Sequence, residues 1–250
     1  MKTNYTLPIL LVALLMGSSV QRLEAQFGYK ISNSIDLIVG VDIGFRVIDT
    51  KNSSSAARAE YENRSKFETY KANYRIGFNY IHGIGERLSI KSGIRLSNPG
   101  FGVSGVEDID INQSLNSIEK QKNNTLGGFI YNYGYQLFEI PLGLRYTLTK
   151  NNCEPFFELG ISNNLYWRTK IIRKRVGRGG YSSEVIKESE INRLNFVGFI
   201  STGGNINLNE DFSLFSQLIA RYQLNNLRKS ELSERIVSIG LEFGLRRYIY

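Results

Sequence analysis

The chain has 250 residues, 42% of them hydrophobic, and a formal net charge of +8. Its one cysteine leaves it without an internal disulfide, and no apolar run reaches the ~20 residues a membrane-crossing helix needs. Such a positive surplus suits either nucleic acid or anionic lipid headgroups. A mean hydropathy of −0.23 does not exclude a membrane protein whose alternate residues alone face lipid.

The first residues read as an export signal. Lys2 supplies positive charge, "LPILLVALLMG" is an apolar core too short to span a bilayer, and "SSVQRLEAQ" brings small and polar residues with Ala25–Gln26 as the expected cleavage point. Residues 1–25 are then a cleaved signal peptide and 26–250 a single domain. No cysteine lies near the junction, so a lipoprotein anchor is not expected. Export also sets nucleic acid aside as a partner.

The rest of the chain alternates with a period of two, the mark of half-buried strands. In "SIDLIVGVDIGFRVI", Ile35, Leu37, Val39, Val41, Ile43, Phe45 and Val47 oppose Asp36, Gly40, Asp42, Gly44 and Arg46. In "YKANYRIGFNY", Tyr70, Tyr74, Ile76, Phe78 and Tyr80 oppose Lys71, Asn73, Arg75, Gly77 and Asn79. "LSIKSGIRL" sets Leu88, Ile90, Ile94 and Leu96 against Lys91, Gly93 and Arg95. "FEIPLGLRYTL" sets Phe138, Ile140, Leu142, Leu144, Tyr146 and Leu148 against Glu139, Pro141, Gly143 and Arg145. "FFELGISNNLYWR" sets Phe157, Leu159, Ile161, Leu165 and Trp167 against Glu158, Gly160 and Arg168. "RLNFVGFISTGGN" is a strand without a clear facing. "FSLFSQLIARYQL" sets Phe212, Leu214, Leu218 and Tyr222 against Gln217 and Arg221, and "RIVSIGLEFGLRRY" sets Val237, Ile239, Leu241, Phe243 and Leu245 against Gly240, Glu242, Gly244 and Arg246.

Leaving aside the strand of unclear facing, no charge in the interior of a strand falls on the apolar face. A Lys or Arg facing lipid at mid-bilayer costs about 2–4 kcal/mol, so this exclusion is what a lipid-facing surface predicts. A soluble barrel also alternates, but the connections separate the two. The turns at 82–87, 149–154 and 207–211 are short, whereas 49–67, 98–134 and 169–192 are long and polar, with a modest last link near 225–234. Short periplasmic turns alternating with longer extracellular loops belong to membrane barrels. Tyrosines and Trp167 near strand ends suit aromatic girdles. The sequence therefore predicts an all-β fold: a single eight-stranded antiparallel up-and-down transmembrane β-barrel in the outer membrane.

"FEIPLGLRYTL", with Glu139, Ile140, Pro141 and Leu142, followed by "EPFFELG", with Pro155, Phe156 and Gly160, resembles the PorT-like outer-membrane β-barrel family. "LSIKSGIRLSNPGF" looks like the family's preceding strand, and the final strand ends on the aromatic Tyr250. The resemblance implies the barrel fold and an association with protein secretion across the outer membrane. It brings no catalytic motif, no metal and no cofactor.

In a barrel of eight strands the interior is just wide enough to be filled by side chains. Charges there must pair, because an isolated buried charge is very costly. Asp42, Arg75, Arg95, Glu139, Arg145, Glu158, Arg221 and Glu242 form the expected lumen network, along with Asp36, Arg46, Lys91 and Arg246. Arg145 and Glu158 are expected to form an ion pair across the hairpin around Asn151 and Asn152. Pro141 shares their parity. It lacks a backbone donor, so a local bulge or break in the ladder is expected there. The stretch "RTKIIRKRVGR" is expected in an outward loop. It offers Arg168, Lys170, Arg173, Lys174, Arg175 and Arg178 to lipopolysaccharide phosphates or to an acidic partner.

His82, the only histidine, is expected at a periplasmic turn, the wrong side for an outward-facing hydrolase. Cys153 reads as a strand-end residue. The function the sequence favours is non-enzymatic: a structural or accessory envelope protein, with an envelope or secretion-machinery protein as partner. A small channel for polar solutes is the first alternative and an exported soluble lipid-binding barrel the second. An outer-membrane enzyme ranks last.

Overall fold

The computed structural model describes residues 33–49, 54–55, 66–106, 129–149, 153–175, 181–229 and 232–249. The expected signal peptide, its Ala25–Gln26 junction and Tyr250 lie outside the described residues. The strands are β1 (Asn33–Asp49), β2 (Glu68–Thr69), β3 (Lys71–Gly83), β4 (Leu88–Ser97), β5 (Gly100–Val106), β6 (Phe129–Thr147), β7 (Cys153–Arg175), β8 (Tyr181–Ile186), β9 (Leu194–Asn207), β10 (Phe212–Gln223) and β11 (Ser233–Ile249).

Eight of these close an antiparallel ring in the order β1–β3–β4–β6–β7–β9–β10–β11. The seam joins the first and last strands, from Asn33↔Ile249 to Asp49↔Ser233. Each ring strand hydrogen-bonds to the next along the chain or across a short excursion, giving an up-and-down barrel. A closed ring removes free edges, which explains how so many long strands coexist without exposed ladder groups.

Side chains partition as the alternation requires. The outer face carries Val41, Leu142 and Leu159, exposed by 58%, 60% and 61%, and comparable residues on every ring strand. The inner face carries Asp36, Lys91 and Arg145, at 0%, 0% and 1%. This is an inverted core: apolar residues coat the outside, and ionised residues fill the middle. β9 now has a facing. Asn195, Phe199, Ser201 and Asn205 point inward, while Leu194, Phe196, Ile200 and Ile206 point outward.

The interior is less purely polar than the alternation implies. Ile38, Phe156, Phe199, Phe215 and Ile219 are buried there too. Glycines make the room: a Cβ on Gly160 would sit 2.6 Å from Phe199 Cζ, and one on Gly244 would sit 2.4 Å from Phe215 Cε1.

The long connections depart from expectation. Most of the described residues of 98–134 and 169–192 are strand, not loop. β5 pairs with the first residues of β6, β2 pairs with β5, and β8 pairs with the far half of β7. Together they raise a five-stranded wall, β2–β5–β6–β7–β8, above one side of the ring. Polar alternating stretches of this kind pair well with an existing edge while giving no apolar signature of their own.

The ladder at Pro141 is interrupted on one side only. Against β7 it runs unbroken through Ile140↔Asn163, Pro141↔Ser162 and Leu142↔Ile161. Against β4 the rungs stop at Ser92↔Leu142 and resume at Arg95↔Glu139. The register is the same on both sides of the gap, so no extra residue is inserted. The expected break is present as missing rungs towards β4, where the absent N–H falls, and there is no bulge.

Candidate functional site

The lumen is built in layers along the barrel axis. Nearest the short turns, Arg246 donates from Nε and Nη2 to Asp36 at 2.8 and 3.0 Å, which ties β11 to β1. Above it, Glu158 is shared. One oxygen takes the ammonium of Lys91, and the other takes Nε and Nη2 of Arg145 at 3.1 and 3.0 Å. β6 and β7 place Arg145 and Glu158 directly opposite each other. The Arg145 guanidinium lies 4.0 Å from the centre of the Phe156 ring, and Lys91 lies 5.3 Å from that of Phe199. Two cations thus share one carboxylate, and ring faces supply the remaining negative field.

The middle layer joins six strands. Glu242 receives Arg95 at 3.2 Å and also pairs with Arg221. Asp42 receives Arg75 at 2.5 Å, Arg221 at 3.4 Å and the Asn73 amide at 2.8 Å. Arg75 also donates to Glu139 at 2.9 Å. Asp42, Arg75, Arg95, Glu139, Arg221 and Glu242 therefore form one connected cluster, with Arg145 and Glu158 in the layer below it. Lys71 adds a further buried ammonium, bonded to Asn73 and to the Asn98 carbonyl at 2.8 Å each.

Towards the long loops the lumen is capped. Phe101, Tyr135, Leu137, Ile191, Leu227 and Ile236 form a buried apolar cluster. Segments 188–192 and 225–229 fold over the mouth, fastened by an Ile191↔Arg228 bridge and by Asn192 N donating to Leu227 O at 2.9 Å. Arg228 pairs with Glu188 at 2.7 Å and with Glu234 at 3.6 Å, and Arg46 pairs with Glu234 at 2.9 Å and with Glu68. Burial works against the charge on Arg228, yet the carboxylates of Glu188 and Glu234 outweigh it and hold the guanidinium protonated. Burial pushes the Tyr135 phenol above its usual range, so it stays neutral beneath the cap. Between cap and middle layer lies a cavity of about 30 Å³, room for about two waters, bordered by Arg75, Arg95, Glu139, Arg221, Leu137, Leu227 and Ile236. Arg95 Nη2 borders it without a protein partner.

The basic stretch behaves differently from its expectation. It continues β7 as strand, and a bulge between Gln136/Leu137 on β6 and Arg168/Tyr166 on β7 leaves Trp167 without a rung. The bulge reverses the parity of everything beyond it. Thr169 and Ile171 turn into the buried side with Tyr131. Arg168, Lys170 and Lys174 are carried to the outer face, on the side of Phe138 and Trp167. Arg168 therefore leaves the lumen parity it has in the sequence pattern. Its guanidinium covers the Trp167 ring at 4.3 Å and donates to the Gln136 amide oxygen. Arg173 falls on the opposite face from these three. Arg175 ends β7, and its side chain and all of Arg178 lie outside the described residues.

His82 sits at the short-turn end, with Nδ1 2.7 Å from Asn33 Oδ1. Cys153 is free and exposed at the start of β7. Among the described residues no group of three or more His, Cys, Asp or Glu is placed to hold a metal. Like the wall of β5 and β8, the inward aromatics, the apolar cap and the bulge are not legible in the sequence. The cap residues lie scattered in polar surroundings, with Leu227 in "NNLRK" and Ile191 in "SEIN". Nothing local marks them as a core.

No protein-family model matches the chain, and no curated protein matches it. Among solved structures it is similar to Neisserial surface protein A, with 11% identity and a TM-score of 0.46, covering 88% of this chain and 99% of that one. It is similar to outer membrane protein OprG from Pseudomonas aeruginosa, with 9% identity and a TM-score of 0.45, covering 89% and 98%. It is also similar to the outer membrane protease OmpT from Escherichia coli, with 7% identity and a TM-score of 0.37, covering 88% and 96%.

Proposed function

We propose that the chain is an exported outer-membrane β-barrel that works without catalysis, as a structural or accessory component of the cell envelope. The observation that carries this reading is the inverted partition. A mainly apolar coat, free of charge between its rims, surrounds a ring whose inner charges are, but for Lys71, paired with one another. Water around such a coat would be strongly unfavourable, whereas hydrocarbon suits it, and a closed ring satisfies every strand edge within the bilayer. The rim charges fit the same placement. Arg235 reaches the Tyr222 hydroxyl at 2.8 Å, and Arg247 lies 5.9 Å from the Phe212 ring, each at a strand end where a cation can reach headgroups.

Buried carboxylates committed to ion pairs are poor general acids or bases, which supports a non-enzymatic reading. The resemblance of "FEIPLGLRYTL" and "EPFFELG" to PorT-like barrels makes protein secretion the fitting context, with an envelope or secretion-machinery protein as partner. A channel for polar solutes is the weaker reading, since a conduit would have to pass the Phe101–Leu227 cap and two layers of ion pairs.

The test is heat-modifiable gel migration with detergent-dependent solubility, combined with crosslinking in intact cells. A barrel that shifts on boiling and captures one envelope protein reproducibly supports the proposal. A protein soluble without detergent rejects the membrane placement. A steady conductance in planar bilayers rejects the sealed lumen.

A further inference from the structure

We infer that the outer face of β7 above the membrane rim is a binding strip for the phosphates of an outer-leaflet glycolipid. The inference rests on the membrane placement proposed above and adds a ligand to it. Three observations converge on the strip.

The first is the bulge at Trp167. Without it, alternation would send Arg168, Lys170 and Lys174 into the capped mouth, and Thr169, Ile171 and Arg173 outward. With it, three cations stand on the same side as the apolar coat, beginning one residue beyond Trp167. At about 3.3 Å per residue they extend roughly 20 Å outward from the rim.

The second is what surrounds them. The β6 residues opposite are Gln136 to Arg168, Gly134 to Lys170 and Ile130 to Lys174. The β8 residues opposite are Val185 to Lys170 and Tyr181 to Lys174. Glu184, the one acidic residue of β8, pairs with Ile171 and so belongs to the other face. Among the described residues the strip therefore has no acidic neighbour directly across either ladder. An arrangement built only to neutralise itself would put carboxylates there, as the lumen does.

The third is continuity with an acyl-compatible surface. Phe138 and Trp167 pack in a tilted pair with ring centres 5.5 Å apart directly below Arg168, and Leu165, Ile140 and Leu142 continue the coat beneath. A ligand that matches both halves needs fatty chains below and phosphate above. A phosphorylated glycolipid has that anatomy, and Arg168 can offer a phosphate the planar fork that suits it.

The experiment uses the full mature barrel in detergent micelles and native mass spectrometry, with bisphosphorylated lipid A as the probe. The comparison arms are fully dephosphorylated lipid A and inorganic phosphate. The variants are Arg168→Gln/Lys170→Gln/Lys174→Gln, Lys174→Gln alone, and Arg235→Gln as a rim cation on a distant strand. The wild type and Arg235→Gln are expected to retain lipid A. The triple variant is expected to lose about a hundredfold in affinity, with Lys174→Gln in between. Dephosphorylated lipid should bind weakly, and millimolar inorganic phosphate should compete poorly because it lacks the chains that lie on Trp167. Equal binding by the triple variant, equal binding of dephosphorylated lipid, or full competition by free phosphate overturns the strip. Retained heat-modifiable migration in the triple variant separates that failure from failure of the membrane barrel itself.

Discussion

Glu158 is the residue whose loss should cost most for the smallest change in shape. Its carboxylate is fully buried and serves Lys91 on one oxygen and Arg145 on the other. Glu158→Gln preserves volume but leaves two buried cations without their counter-charge. Breaking a buried pair in this way costs about 3–5 kcal/mol. Arg145→Met removes the larger side chain, yet Lys91 still neutralises Glu158. What is lost is two charge-assisted hydrogen bonds and the Phe156 ring contact. What is gained is relief from desolvating the more poorly compensated cation, whose Nη1 has no partner. The net cost is expected at about 1–2 kcal/mol. The assay is reversible urea unfolding in phospholipid vesicles, followed by the fluorescence of Trp167, the only tryptophan. The midpoint shift is read at constant slope. An Arg145→Met variant that costs as much as Glu158→Gln would refute the view that one carboxylate carries both cations.

Leu142, 60% exposed on the outer face, distinguishes lipid from water. Leu142→Arg should cost about 2–4 kcal/mol in vesicle unfolding, whereas a change within about 0.5 kcal/mol would mean that the coat faces water. Pro141→Ala restores a donor towards β4 while adding freedom to the unfolded chain, so stability should change by less than about 1 kcal/mol. The new amide should be protected from hydrogen exchange, and a loss beyond about 2 kcal/mol would show that the ring itself packs the lumen. Leu227→Ala in the cap should cost about 2–5 kcal/mol locally. It should admit protease to 225–229 while the heat-modifiable shift persists, and simultaneous loss of that shift would mean that cap and barrel are one cooperative unit.

The ring strands were legible because the two faces meet such different surroundings that every misplaced charge is penalised. The charges of Asp42, Arg75 and Glu242 could be placed by parity alone. Which charge pairs with which could not, because Arg95–Glu242 and Arg221–Asp42 join strands far apart in sequence that are not ladder neighbours. Arg145 and Glu158 are the exception, since they belong to one hairpin. The wall of β5 and β8 was hidden because "YSSEVI" and "GFGVSGV" are too short and mixed to show a buried side. The bulge was hidden for a deeper reason: it is a property of two strands in register, and neither β6 nor β7 alone encodes it. Parity is therefore trustworthy inside the apolar belt, and it fails at Arg168, the first residue beyond it.

The seam between the first and last strands has a kinetic consequence. Asp36 finds Arg246 only when β11 closes on β1, and Glu242 brings the counter-charge for Arg95 and Arg221 on that same strand. An incomplete sheet is therefore electrostatically frustrated, with Asp36 still without its cation and Arg95 and Arg221 still without the Glu242 carboxylate. Lys91, Arg145 and Glu158 can settle early within β4, β6 and β7. Asp42, Arg75 and Glu139 can do the same within β1, β3 and β6, and the pairs made by Arg246 and Glu242 form in one late event, when the final strand docks. A chain that stalls before β11 would hold unmatched charge at the heart of an open sheet, which makes it a poor lodger in hydrocarbon and a recognisable target for removal.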